Sequence, residues 1–198
     1  MPWGHHRMQK LEHASRRGLQ QPVDTVNRWV YWGLRCGLTL ELLALATWVG
    51  GLIVLIGAVI PAVFNTLGGQ DSGGFLLTRA FEGYNRLVIV AMIVLAAIAV
   101  CRQWSGHPAV SVSRSEIVLL TLMGILLCTI VLLLHPQAAA LQAEAFAAKD
   151  EQARKAAFEA FFRLHMPVRS LYMINMGLGI ALLAMKVTRL ISRRESHL

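Results

Sequence analysis

The chain has 198 residues, of which 56% are hydrophobic and 15% charged, with a formal net charge of +8. Soluble domains run at roughly 45–50% apolar and about 25% charged. This balance, with a mean hydropathy of +0.53, excludes an ordinary water-soluble globule. The surplus of Lys and Arg points to anionic lipid headgroups rather than nucleic acid, because no basic patch carries interleaved stacking aromatics.

In chain order, residues 1–23 are polar and rich in Gly, Pro, Gln and His, and weak order is expected there. Asp24 and Thr25 can cap a short interfacial helix over 25–35. Trp29, Tyr31 and Trp32, with Trp104 further on, are placed for the headgroup layer, where ring and polar edge are both satisfied. The first apolar run, Leu38–Phe64, exceeds the about 7–15 residues of a signal-peptide core and is read as a retained span. Met1-Pro2 lacks the N-terminal glycine of a myristoylation site, and Glu195–Leu198 is no prenylation box.

Three further runs follow. A hydrocarbon core about 30 Å thick takes about 20 helical residues to cross. Spans are therefore expected at 38–64, 84–104, 117–134 and 167–187. The fold class is all-α, an integral membrane four-helix bundle. A basic leader (1–37) precedes the membrane domain (38–187), and a basic tail (188–198) follows it. Asn65–Gly74 reads as a glycine-rich turn with no phosphate-loop signature. Residues 137–164 differ in kind: their Ala, Glu, Lys and Arg content favours helix. Leu141, Ala145, Ala148, Phe158, Phe161 and Phe162 form an apolar stripe along it. Asp150/Arg154 and Glu151/Lys155 have the favourable acid-first i,i+4 order. An extra amphipathic helix is expected here, between spans three and four.

Lys and Arg resist translocation and so set orientation. The leader, second link and tail hold twelve of them, against seven in the first and third links. Both termini are therefore expected in the cytoplasm of an inner or plasma membrane.

Ionisable groups inside spans are costly and start as functional candidates. Glu41 lies about one turn into span one, where it can reach headgroups, pair with Arg28 or Arg35, or serve a proton or solute pathway. His135 ends span three and His165 begins span four, at comparable depth on the outer side. Two imidazoles so placed can ligate a haem iron or a copper ion, with Met166, Met173 and Met176 nearby. The competing reading is a pair of helix-end histidines satisfied by backbone or water. His5, His6, His13, His107 and His197 read as solvated or casual metal binders. Cys36, Cys101 and Cys128 lack metal spacing and read as small packing residues. Ser111, Ser113 and Ser170 lack a nucleophile context, so no catalytic residue is assigned. Asn175 is expected to hydrogen-bond a neighbouring helix. Gly50, Gly51, Gly57, Gly177 and Gly179 are expected to let helices approach.

Trp48–Gly51 (Trp-Val-Gly-Gly), Pro61–Phe64 (Pro-Ala-Val-Phe), the glycine turn and Ala80–Tyr84 (Ala-Phe-Glu-Gly-Tyr) resemble the opening half of the transmembrane protein 205-like family (domain of unknown function 4149). Phe161–His165 (Phe-Phe-Arg-Leu-His), with Ser170 and Asn175, resembles that family's return into its last span. The resemblance covers about residues 38–187 and implies a four-helix membrane protein with no agreed activity. A more distant likeness to the copper resistance protein D group keeps metal binding open. The expected function is a small structural or accessory membrane protein, partnered by lipid and by other membrane proteins or itself. The alternatives are a haem or copper site at His135/His165 and a pathway through Glu41.

Overall fold

The computed structural model describes residues 23–67, 70–105 and 111–195. The expectations for residues 1–22, His107 and His197 lie outside them. The chain divides into two compact units, Met1–Leu40 and Glu41–Leu198. The described part of the first is helical, with Trp32 and Cys36 exposed. Thr39 Oγ1 donates to Arg35 O at 3.0 Å there.

Among the described residues every regular element is helical. They are α1 (Val23–Val54), a π-helical turn (Leu55–Val59), α2 (Ile60–Leu67), α3 (Gln70–Trp104), α4 (Arg114–Cys128), a second π-helical segment (Thr129–Leu134), α5 (His135–Ala147) and α6 (Glu151–Glu195). Four stretches are long and apolar enough to cross a membrane: Arg35–Leu67, Gly73–Trp104, Arg114–Ala147 and Glu151–Ser192. The protein is a multi-pass membrane protein with an all-α core.

Each stretch outruns its apolar run, because hydropathy marks the lipid-immersed part of a helix and not its ends. The difference is largest at 137–164. The single amphipathic helix expected there is divided at 148–150. Its first part is α5, continuous with span three, and its second is the start of the 45-residue α6. Ala148 leaves the helix with ψ 121°. Asp150 starts the next helix by accepting from Ala153 N at 3.1 Å. It therefore acts as an N-cap, which satisfies an otherwise orphaned backbone donor. Phe146 and Phe158 close this hairpin edge to face, with centroids 5.9 Å apart.

Both π-helical segments stop two residues short of a proline, Pro61 and Pro136. A proline ring collides with the carbonyl four residues back, here that of Gly57 and of Leu132. Each of those residues lies inside a widened turn, which relieves the collision without ending the helix.

The core of the second unit is a stripe on each span. Leu45, Trp48, Leu52 and Leu55 bury from span one; Tyr84, Val88, Ala91 and Leu95 from span two; Leu120, Met123, Leu127 and Ile130 from span three; Val168, Tyr172 and Leu182 from span four. The steps of three and four residues, with one of ten from Tyr172 to Leu182, keep one face inward. The opposite faces carry exposed Leu43, Ile53, Val90, Ile93, Leu132 and Ile174, as lipid contact requires.

Gly179 permits a close helix approach. A Cβ there would lie 3.0 Å from Val49 Cγ2 and 3.6 Å from Trp48. Gly51 does the same against the Tyr84 ring at 3.0 Å. Gly50, Gly57 and Gly177 meet nothing within 4 Å, so within the chain only Gly51 and Gly179 of the five perform the expected packing role. The cysteines also depart from expectation. Cys36, Cys101 and Cys128 are all exposed, because they fall on outward helix faces and not on the buried stripes.

Candidate functional site

The same stripes that carry the core carry charge at one end of the bundle. Four residues before Leu45 comes Glu41, and four before Leu120 comes Glu116. Four after Leu182 comes Lys186, and seven after Leu95 comes Arg102. The register that buries the leucines therefore buries these groups too. Glu116 is 0% exposed, Glu41 2% and Lys186 5%.

Burying charge in low dielectric is tolerated only with close partners, and here each finds them. Arg102 Nη1 donates to Glu41 Oε1 at 2.7 Å and to Glu116 Oε1 at 2.8 Å. Lys186 Nζ donates to Glu41 Oε2 at 2.7 Å and to Glu116 Oε1 at 2.6 Å. Arg189 Nη1 reaches Glu116 Oε2 at 3.0 Å, and its Nη2 donates to Ser113 Oγ. Ser113 Oγ also accepts from Glu116 N at 3.2 Å, capping α4. Two carboxylates thus hold three cations, and the network ties all four spans together. Glu41 was singled out in the sequence with Arg28 or Arg35 as partner. Its partners in the structure lie 61 and 145 residues away. Sequence reasoning missed Arg102, Glu116 and Lys186 as site residues. The missed signal was their place in the core register, at the same end of four successive spans.

A second, neutral polar layer lies deeper. The Tyr84 hydroxyl donates to Trp48 O at 2.8 Å, and that of Tyr172 to Asn85 Oδ1 at 2.8 Å. Asn85 and Asn175 are 4% exposed. Asn175 Oδ1 has no hydrogen-bond partner; the helix-to-helix contact expected of it is made by Asn85 and Tyr172. Towards the far end, Thr78 Oγ1 bonds Gln142 Oε1, joining spans two and three.

The two histidines stand at the beginning of α5 and in α6. His135 is half-buried and its Nε2 has no partner. His165 is exposed, its ring stacked on Phe161 with centroids 5.7 Å apart. Met166 is exposed, while Met173 and Met176 pack against the core. Among the described residues no three His, Cys, Asp or Glu side chains gather as a metal site would need.

Fold and site together define a small polytopic membrane protein whose spans are locked by buried ions. Residues 43–147 match the family called Domain of unknown function (DUF4149), and the chain belongs to that family. The matched residues hold Trp48, Gly51, Tyr84, Asn85, Arg102 and Glu116. Glu41 and all of span four, with Tyr172, Asn175, Lys186 and Arg189, lie outside them. No curated protein and no solved structure matched the chain.

Proposed function

We propose that this protein is a structural or accessory subunit of a membrane complex, with no catalytic step of its own. The observation that carries the reading is the five-residue ion network. It uses the buried ionisable groups of four spans to hold each other, and two cations hold Glu41 in place. A carrier carboxylate needs an oxygen open to an incoming proton or solute, whereas Oε1 of Glu41 is taken by Arg102 and Oε2 by Lys186. The cavity lined by Trp48, Tyr84, Asn85 and Asn175 is about 10 Å³, far below the about 300–1,000 Å³ of small-molecule sites. Both termini face the cytoplasm of an inner or plasma membrane in this reading, supported by the excess of Lys and Arg on that side.

The test is purification in mild detergent followed by particle mass and subunit identification. A particle holding several copies, or one copy with a second membrane protein in fixed ratio, is expected. Monomer alone would sink the proposal. Proton flux into proteoliposomes is expected to be equal for wild type and Glu41→Gln, and a fall in the variant would instead favour the pathway reading.

A second reading has one observation behind it: the unpartnered Nε2 of His135, a ready ligand atom. In that reading His135 and His165 hold a haem or a copper ion, in keeping with the distant likeness to the copper resistance protein D group. A Soret band or stoichiometric copper in the purified protein, lost in His135→Ala, is what would establish it.

A further inference from the structure

We propose that the neutral polar layer is a binding site for one water molecule, held at Asn175 in the interior of the bundle. The inference is independent of the subunit reading above. Three observations meet there. Asn175 is 4% exposed, and its Oδ1 has no hydrogen-bond partner. A cavity of about 10 Å³, as open to a water-sized centre, is lined by Asn175 together with Tyr84, Asn85 and Tyr172. That volume is about what one water needs, given two to four polar partners.

The proton count then selects the occupant. A phenol has one proton to give. That of Tyr84 goes to Trp48 O and that of Tyr172 to Asn85 Oδ1, both at 2.8 Å. Neither hydroxyl is left to serve Asn175 Oδ1. Both phenol oxygens keep lone pairs and still accept. A water donating one proton to Asn175 Oδ1 and the other to a phenol oxygen satisfies the layer. It also accepts from an amide NH₂. Turning the Asn175 amide over would present NH₂ in place of oxygen, and the water would then accept from it. A cation is disfavoured, because none of these four side chains carries a negative charge. An unsatisfied polar group surrounded by lipid-immersed helices costs several kcal/mol, which gives the water its affinity.

The experiment uses full-length protein in lipid nanodiscs with labelled Val, Leu and Ile methyls. Cross-relaxation from water to the methyls of Val88 and Leu127 is measured; both line the cavity and are buried. Cross-peaks are expected in the wild type and are expected to vanish in Asn175→Leu, which keeps both tyrosines and fills the space. Their absence in the wild type overturns the proposal, as does their survival in Asn175→Leu. Should that variant not fold, Asn175→Val is read in the same way, since it also keeps both hydroxyls and removes only the amide: cross-peaks lost support the proposal, and cross-peaks kept were relayed through a hydroxyl and overturn it.

Discussion

The bundle places polar groups inside itself twice, and the two layers solve the problem differently. Near the ends of the spans it uses full charges: Glu41 and Glu116 against Arg102, Lys186 and Arg189. Deeper, among Trp48, Leu52, Val88 and Leu127, it uses phenols and amides. Depth explains the choice. A charge costs most at the bilayer centre and less towards the interface, where water and headgroups come within reach. Arg102 and Arg189 illustrate it, their side chains 16% and 37% exposed. The charged layer binds strongly but depends on every member. The neutral layer binds weakly, through single hydrogen bonds between pairs of spans.

Breaking the charged layer is expected to have the largest effect. Glu116→Gln leaves Lys186 and Arg102 facing Glu41 alone and takes from Arg189 its carboxylate. A loss of about 3–5 kcal/mol is expected for such an unpaired buried charge, read from unfolding in detergent. The double variant Glu116→Leu/Lys186→Met removes one charge of each sign. Its loss should fall short of the sum of the single losses by about 1–3 kcal/mol; simple additivity would show that the two do not act as a unit. Next come the close approaches between helices. Gly179→Ala and Gly51→Ala are expected to cost about 1–3 kcal/mol by overpacking. Gly50→Ala and Gly177→Ala, with open space around them, should be neutral or gain up to about 1 kcal/mol from helix propensity. The neutral layer gives a smaller loss than the charged one. Tyr172→Phe removes the donor to Asn85 and should cost about 1–2 kcal/mol. A Tyr172→Phe loss as large as that of Glu116→Gln would erase the contrast between the layers.

Much of the fold was legible because lipid imposes long apolar runs, and a run of that kind identifies itself without any knowledge of its neighbours. The helix ends were not. Ala-rich, charged segments such as 137–147 and 151–164 continue their spans, and hydropathy stops where the helix does not. One residue of the five-residue network was visible. Glu41 stood out as a carboxylate inside a span, but its partners were sought among residues close in sequence. Arg102 and Lys186 were counted as orientation charges at span ends, a use of Lys and Arg that depends on their side of the membrane. Register, the property that brings them to Glu41, is carried by the spacing of leucines on three other helices. The neutral layer was less legible still. Tyr84 and Tyr172 look like ordinary aromatics until the neighbouring helix supplies Trp48 O and Asn85. The widened turns before Pro61 and Pro136 were also missed, although the prolines themselves were plain.

The place of Lys186 and Arg189 on the fourth span has a consequence for how the protein is made. A nascent polypeptide with three helices threaded contains Glu41, Glu116 and Arg102, a deficit of one positive charge. The fourth helix brings an ammonium and a guanidinium together and reverses the sign. Translation thus delivers two of the three counter-ions after both carboxylates, and a copy truncated ahead of residue 186 is left with Glu41 and Glu116 sharing Arg102.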